Sequence, residues 1–177
     1  TWYRGMNLIH IPTTLMAMVD SSIGGKVAVN YRNTINAVGN YYHPIFNHID
    51  LNFLKTLSNR DYISGIAEVL KCSLIADKSL FNYLRKNSKN INKGNPETNE
   101  KIIKKSIQIK LDHVKEDIYE GGKRLLLNYG HTFGHPIEIA TQDEYGEKVR
   151  HGEAVAMGIV ASLYASKEIF KLSQKKI

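Results

Sequence analysis

At 177 residues, 42% of them hydrophobic, the chain is long enough to bury a core and too apolar for disorder to be the default. Its lone cysteine, Cys72, excludes an internal disulfide and a thiolate metal cluster, and points to a reducing compartment, the cytoplasm. The formal net charge is +7, yet nine Lys or Arg against three acids fall between Arg85 and Lys115, without the interleaved aromatics that stack bases. That pattern predicts a solvated helix face and no nucleic-acid partner, and it gives a positive potential suited to an anionic small molecule if some lysines face a cleft. No apolar run approaches a membrane span, so no membrane partner is expected either. The start at Thr1-Trp2-Tyr3-Arg4 has neither an initiator Met nor a signal-peptide layout, which reads as the interior of a longer protein.

Taken in order, Asn7 to Pro12, Val27 to Asn30 and Pro44 to Asp50 read as short strands separated by turn residues. After Leu57 the texture changes. Ser58-Asn59-Arg60-Asp61 offers an N-cap, and apolar residues then recur at helical spacing through Ile63, Ile66, Val69 and Leu70. Leu80 to Leu84 continues the helical pattern, Asn87 to Asn95 is a polar connection, and Pro96-Glu97 opens a long helix running to about Ile118. Gly121-Gly122 breaks it, Leu125 to Ala140 predicts another helix around a glycine-containing segment, and Glu153 to Phe170 a last one. The expected fold class is an α/β segment, residues 1–57, followed by an all-helical domain, residues 58–177.

Three clusters carry chemistry. Asn128-Tyr129-Gly130-His131-Thr132-Phe133-Gly134-His135 places two histidines four apart, on one helical face, and a third, His151, begins the last helix. Such a pair is a metal site only if a carboxylate joins it. Glu68, in Ser64-Gly65-Ile66-Ala67-Glu68-Val69-Leu70-Lys71, is the candidate, with an intrahelical Glu68–Lys71 ion pair as the alternative reading. The third cluster, Pro12-Thr13-Thr14-Leu15 with Val19 to Lys26, sets hydroxyls, two glycines and a lysine after a strand; it suits a phosphate, or Gly24-Gly25 is a hairpin turn.

The runs IPTTLMAMVDSSIGGKVAVN, LKTL, SGIAEVLK, LLLNYGHTFGHPIE and HGEAVAMGIV, in that order over nearly the whole chain, resemble the 3-dehydroquinate synthase family. The resemblance implies part of a two-domain protein, an α/β nucleotide-binding domain followed by a helical metal domain. It implies Glu68, His131 and His151 as ligands of a divalent metal, zinc or cobalt; Thr13, Thr14, Lys26, Phe53, Leu54, Lys55 and Thr56 beside NAD; Asp20, Lys71, Lys110, Arg124, Asn128 and His135 as the catalytic, substrate-contacting set; and Arg4, Lys26 and Asn36 on the substrate phosphate. The implied activity is a lyase of the shikimate pathway. It converts 3-deoxy-arabino-heptulosonate 7-phosphate, an anionic sugar phosphate, to 3-dehydroquinate and phosphate in a cytoplasmic homodimer. The alternatives are a related inosose- or valiolone-forming cyclase, whose substrate lacks the carboxylate, and an inactive truncated relative.

Where the family usually has Gly-Lys-Asn this chain reads Thr34-Ile35-Asn36, which implies weaker NAD binding. The family's first α/β segment and final helical segment have no counterpart, so the isolated chain is expected to bind metal in its helical part and turn over little alone. Arg124 is expected to be partly hydrated and to matter for turnover more than for folding.

Overall fold

The computed structural model describes residues 5–32, 34–141 and 149–173. Strand β1 (Ile9–His10) pairs in parallel with β4 (Phe46–Asn47), while β2 (Lys26–Tyr31) and β3 (Thr34–Tyr41) form an antiparallel hairpin. The helices follow: α1 (Asn59–Ala76), α2 (Lys78–Asn87), α3 (Pro96–Glu116), α4 (His131–Ala140) and α5 (His151–Phe170), with 3-10 turns at Leu51–Lys55 and Lys123–Asn128. The order is the expected one, a small α/β part and then helices. Among the described residues no helix is long and apolar enough to cross a membrane.

Local chemistry explains most helix starts. Ser58 Oγ accepts the Asp61 N–H at 3.0 Å at the head of α1, and Asn95 Oδ1 accepts the Thr98 N–H at 3.1 Å ahead of Pro96 at the head of α3. Asp77 caps α2 through the Leu80 N–H at 2.9 Å and binds Lys105 of α3 at the same distance, 2.9 Å. The lysines of α3 are mostly solvated, as the charge pattern predicts: Lys101, Lys104, Lys105 and Lys115 are exposed, whereas Lys110 is buried.

Three local expectations are corrected. The hairpin reverses between Tyr31 and Thr34, not at Gly24-Gly25; those glycines lead into β2 with φ of +94° and +73°. A Cβ on Gly24 would lie 2.7 Å from an Arg124 nitrogen, so glycine there serves close approach as well as φ. Residues 125–140 are not one helix, because Gly130, at φ +83°, separates the Lys123–Asn128 turn from α4. A π-helical turn, Ala17–Ser21, stands where only turn residues are expected between the first two strands. Its Met18 and Val19, with Leu15 and Leu54, join Tyr62, Val69, Cys72, Leu80, Leu84, Ile102, Ile103 and Ile109 in one core, so residues on both sides of position 57 are packed together.

Candidate metal centre

Glycines let α4 and α5 meet, and α5 reach α1. A Cβ on Gly152 would fall 1.9 Å from the Ser64 carbonyl oxygen of α1, and one on Gly158 1.9 Å from the Gly130 carbonyl oxygen at the head of α4. The Gly152 N–H donates to Ser64 Oγ at 3.0 Å. Arg60 of α1 holds Glu153 of α5 with a two-pronged fork, 2.7 and 2.9 Å, and Arg150 Nε binds Asp61 at 2.9 Å. The heads of α1, α4 and α5 are thereby drawn to one point.

At that point stand Glu68, His131 and His151, whose ligand atoms all lie within 4.8 Å of one another. His151 Nε2 is 3.6 Å and His131 Nε2 3.9 Å from the same oxygen, Glu68 Oε1. The other nitrogen of each ring is occupied: His131 Nδ1 donates to the Tyr129 carbonyl at 3.3 Å, and His151 Nδ1 to Glu138 Oε2 at 3.0 Å. Glu68 is fully buried, and neither of its oxygens meets a hydrogen-bond donor in bonding geometry, although Lys71 Nζ lies in ion-pair contact. Lys71 offsets part of the cost of burying this carboxylate, and a second cation on the imidazole side would complete its coordination. A carboxylate with two imidazoles is also the donor set that suits zinc or a similar divalent ion. The residues therefore fit a metal, and the Glu68–Lys71 ion pair coexists with the cluster.

The charges are uneven. Burial opposes ionisation of Asp20, but Lys110 and Lys71 outweigh it and hold the carboxyl below the usual range. For Glu68, burial and the Asp20 charge work in the same opposing sense, and Lys71 and His151 still keep it low. Burial would deprotonate Lys71, yet Asp20 and Glu68 raise its pKa, so it stays an ammonium. Burial and the Lys71 charge bring His131 down to about 4, leaving it neutral with a free lone pair. His151 is instead raised to about 9 by Glu138 and Glu68.

The sign for His151 follows. In the metal-free fold its proton stabilises fully below the ordinary value of 6.5, and this stability is lost as pH rises through about 9. A metal must displace that proton. Loading at pH 7 should release about one proton per ion, with affinity rising toward pH 9. Calorimetry in buffers of different ionisation enthalpy measures the release; no proton released would contradict this charge state.

The other expected site residues fall in three groups. Lys110 donates to Asp20 Oδ1 at 2.6 Å, placing Asp20 beside Lys71, and His135 stacks edge-on to His131 with ring centroids 5.1 Å apart. Arg124 is 1% exposed, which corrects the expectation of a hydrated side chain. Its guanidinium donates to the Gly24 carbonyl at 2.7 Å and the Ile118 carbonyl at 2.5 Å. Asn128 donates to Glu120 at 3.1 Å, and Lys26 pairs with the same carboxylate. Of the cofactor set, Thr13, Lys26, Phe53, Lys55 and Thr56 are exposed and Thr14 half-buried, but Leu54 turns into the core, so its side chain positions its neighbours. Asn36 lies exposed on β3 at φ +53°, and Arg4 is outside the described residues.

Two participants are missed by the sequence reading. Glu138 follows His135 by three and His131 by seven, so its place on their face is legible from helical spacing. Glu120 offers no such signal, since its φ of +61° arises in a loop.

Residues 65–177 match the sequence profile described as 3-dehydroquinate synthase C-terminal, and residues 1–64 the one described as 3-dehydroquinate synthase N-terminal. The chain belongs to the 3-dehydroquinate synthase family. It is 47% identical over 175 residues to the 3-dehydroquinate synthase of Rippkaea orientalis, covering 98% of this chain and 46% of that protein. The chain thus spans about half the length of the curated relatives it matches. Among solved structures, 2-epi-5-epi-valiolone synthase from Streptomyces hygroscopicus subsp. jinggangensis 5008, with NAD+ and Zn2+ bound, superposes with a TM-score of 0.89 at 30% identity, covering 98% of this chain and 48% of that one. A 2-deoxy-scyllo-inosose synthase complexed with carbaglucose-6-phosphate, NAD+ and Co2+ gives 0.87 at 34% identity, covering 98% and 47%. The two solved neighbours carry names other than 3-dehydroquinate synthase.

Proposed function

We propose that these residues carry the metal- and substrate-binding side of a 3-dehydroquinate synthase. The reaction would convert 3-deoxy-arabino-heptulosonate 7-phosphate to 3-dehydroquinate and phosphate with NAD and a zinc or cobalt ion. Residues 1–57 would belong to the nucleotide-binding part and residues 58–177 to the metal and substrate part. The observation that carries this reading is Glu68, a buried carboxylate without hydrogen-bond donors, facing two imidazole nitrogens at the family's motif positions. The NAD+ and metal ions in the two solved relatives support the cofactors.

When bound, the metal supplies a Lewis acid at the reacting oxygen and NAD a reversible hydride acceptor. Position and charge are what the chain itself contributes. Lys71, held as an ammonium by Asp20 and Glu68, is a fixed cation for developing negative charge and not a proton acceptor. Lys110, buried and anchored on Asp20, adds a second. His135 is half-buried, with its pKa lowered by burial and by His151; its neutral ring can exchange a proton at a nitrogen. Lys26 and Asn128 share Glu120, so an anionic substrate group would compete with that carboxylate for both.

The second reading, an inosose- or valiolone-forming cyclase, draws on the two solved neighbours, and the substrate carboxylate separates the two. In the protein that contains these residues, substrate binding would have to draw the buried Arg124 guanidinium off its two carbonyls to hold the carboxylate in a charge-assisted fork, and Arg124→Ala should then slow phosphate release from the heptulosonate phosphate more than about a hundredfold. Because Arg124 is buried on two carbonyls, the same change should cost about 3 kcal/mol of stability. Arg124→Lys keeps the charge without the fork and should stay slow while losing less stability. Equal turnover of a carboxylate-free analogue by the unsubstituted enzyme would favour the second reading.

A further inference from the structure

Resting on that metal-centre reading, we propose that Glu138 is a positioning residue for the metal: it fixes the tautomer and ring direction of His151 without itself binding the ion. His151 Nδ1 and Glu138 Oε2 are 3.0 Å apart, and an ionised carboxylate only accepts, so the hydrogen between them belongs to Nδ1. In the neutral ring the lone pair is then on Nε2, the nitrogen 3.6 Å from Glu68 Oε1. His131 is set the same way by a different acceptor, the Tyr129 carbonyl at 3.3 Å, which leaves its Nε2 for Glu68 as well.

The two anchors are not equivalent. Tyr129 lies two residues from His131 and its carbonyl is part of the local chain, whereas Glu138 reaches from α4 to the first residue of α5. His151 is the more exposed imidazole, its side chain 34% accessible against 12% for His131, so packing restrains its ring less and the carboxylate has more to do. Carboxylate partners of this kind orient a metal-bound histidine and raise its basicity, and their loss typically weakens metal binding by about ten- to a hundredfold. The competing role must be separated by experiment, since His135, Glu138 and His151 also bring ligand atoms within 4.8 Å of one another. If the ion sat there, Glu138 would be a ligand, and Glu68 would keep Lys71 as its cation with its imidazole side left open.

The test is Co2+ binding to the chain by chelator competition, with the visible absorption of bound Co2+ as the spectroscopic readout and circular dichroism of the metal-free variants as the folding control. Glu138→Ala should weaken Co2+ by about ten- to a hundredfold and alter the absorption bands. Glu138→Gln retains an acceptor for Nδ1–H and should recover most of the affinity. This rescue also decides the matter if the Ala variant folds poorly. His135→Ala should bind nearly as the unsubstituted chain does, while His131→Ala should not bind. No Co2+ uptake by the unsubstituted chain would remove the metal centre and this role with it. Uptake undiminished in Glu138→Ala would overturn only the role of Glu138. Loss in His135→Ala equal to that in Glu138→Ala, with His131→Ala still binding, would make Glu138 a ligand and overturn the proposal.

Discussion

Replacing His131 with alanine should lower the affinity of the chain for Zn2+ or Co2+ by more than about a hundredfold, beyond what loss of an outer partner causes. His131 is the most informative of the three positions. It is neutral in the metal-free fold, with a pKa near 4, so its removal deletes a lone pair and leaves no buried charge stranded. Glu68→Ala would be ambiguous, because Lys71 is 1% exposed and would lose one of the two carboxylates that keep it charged. A collapse of that variant would report an unpaired buried cation as much as a lost ligand. His151→Ala also cuts the tie to Glu138. Metal analysis after dialysis measures the effect, and full occupancy in His131→Ala would remove this residue from the ligand set.

Gly158→Ala should be, with Gly152→Ala, one of the two most damaging single methyl additions in the helical part. The added carbon would sit 1.9 Å from the Gly130 carbonyl oxygen and 2.8 Å from the Gly134 nitrogen, both backbone atoms that cannot rotate away. Relief requires α5 to move off α4, which would separate His151 from His131. We expect a loss of about 3 kcal/mol or more, the upper end of overpacking effects, together with weaker metal binding. Gly121→Ala is the matched control: nothing lies within 4 Å of its added carbon, and the change should stay within about 0.5 kcal/mol. Urea unfolding of both variants measures the difference, and a Gly158→Ala curve superposing on that of the control would contradict the close helix contact.

Legibility in the sequence followed the range of the interactions. The starts of α1 and α3 were readable because Ser58 and Asn95-Pro96 act on N–H groups a few residues away. β3 was not, because Asn36, Gly39 and Asn40 are poor strand formers and the strand is largely exposed, so no alternating pattern marks it. Its Gly39 serves contact with β2, since a Cβ there would lie 2.7 Å from the Ala28 Cβ. The turn at Ala17–Ser21 was hidden because its apolar residues are too few for a period and stand between Pro12 and two glycines, which read as loop. It is nonetheless what sets Asp20 beside Lys110 of α3.

Within the candidate site, the His131/His135 pair was plain from spacing of four. That Glu68, 63 positions before His131 in the sequence, meets the same point followed from the family resemblance and not from pattern. Burial of Arg124 could not be read, because it depends on carbonyls of Gly24 and Ile118 that the fold presents from two separate segments. The glycines of the HGE and MGI runs were visible as letters, but their purpose, direct backbone contact with Ser64 and Gly130, was not.

The most direct measurement of the central claim is anomalous scattering at the cobalt edge from crystals of the Co2+-loaded chain. The account predicts a single peak about 2.0–2.2 Å from a Glu68 oxygen and from Nε2 of both His131 and His151, with Glu138 on the far nitrogen of His151 and outside the coordination sphere. A peak bonded to His135, Glu138 and His151, or no ordered peak near Glu68, would contradict it.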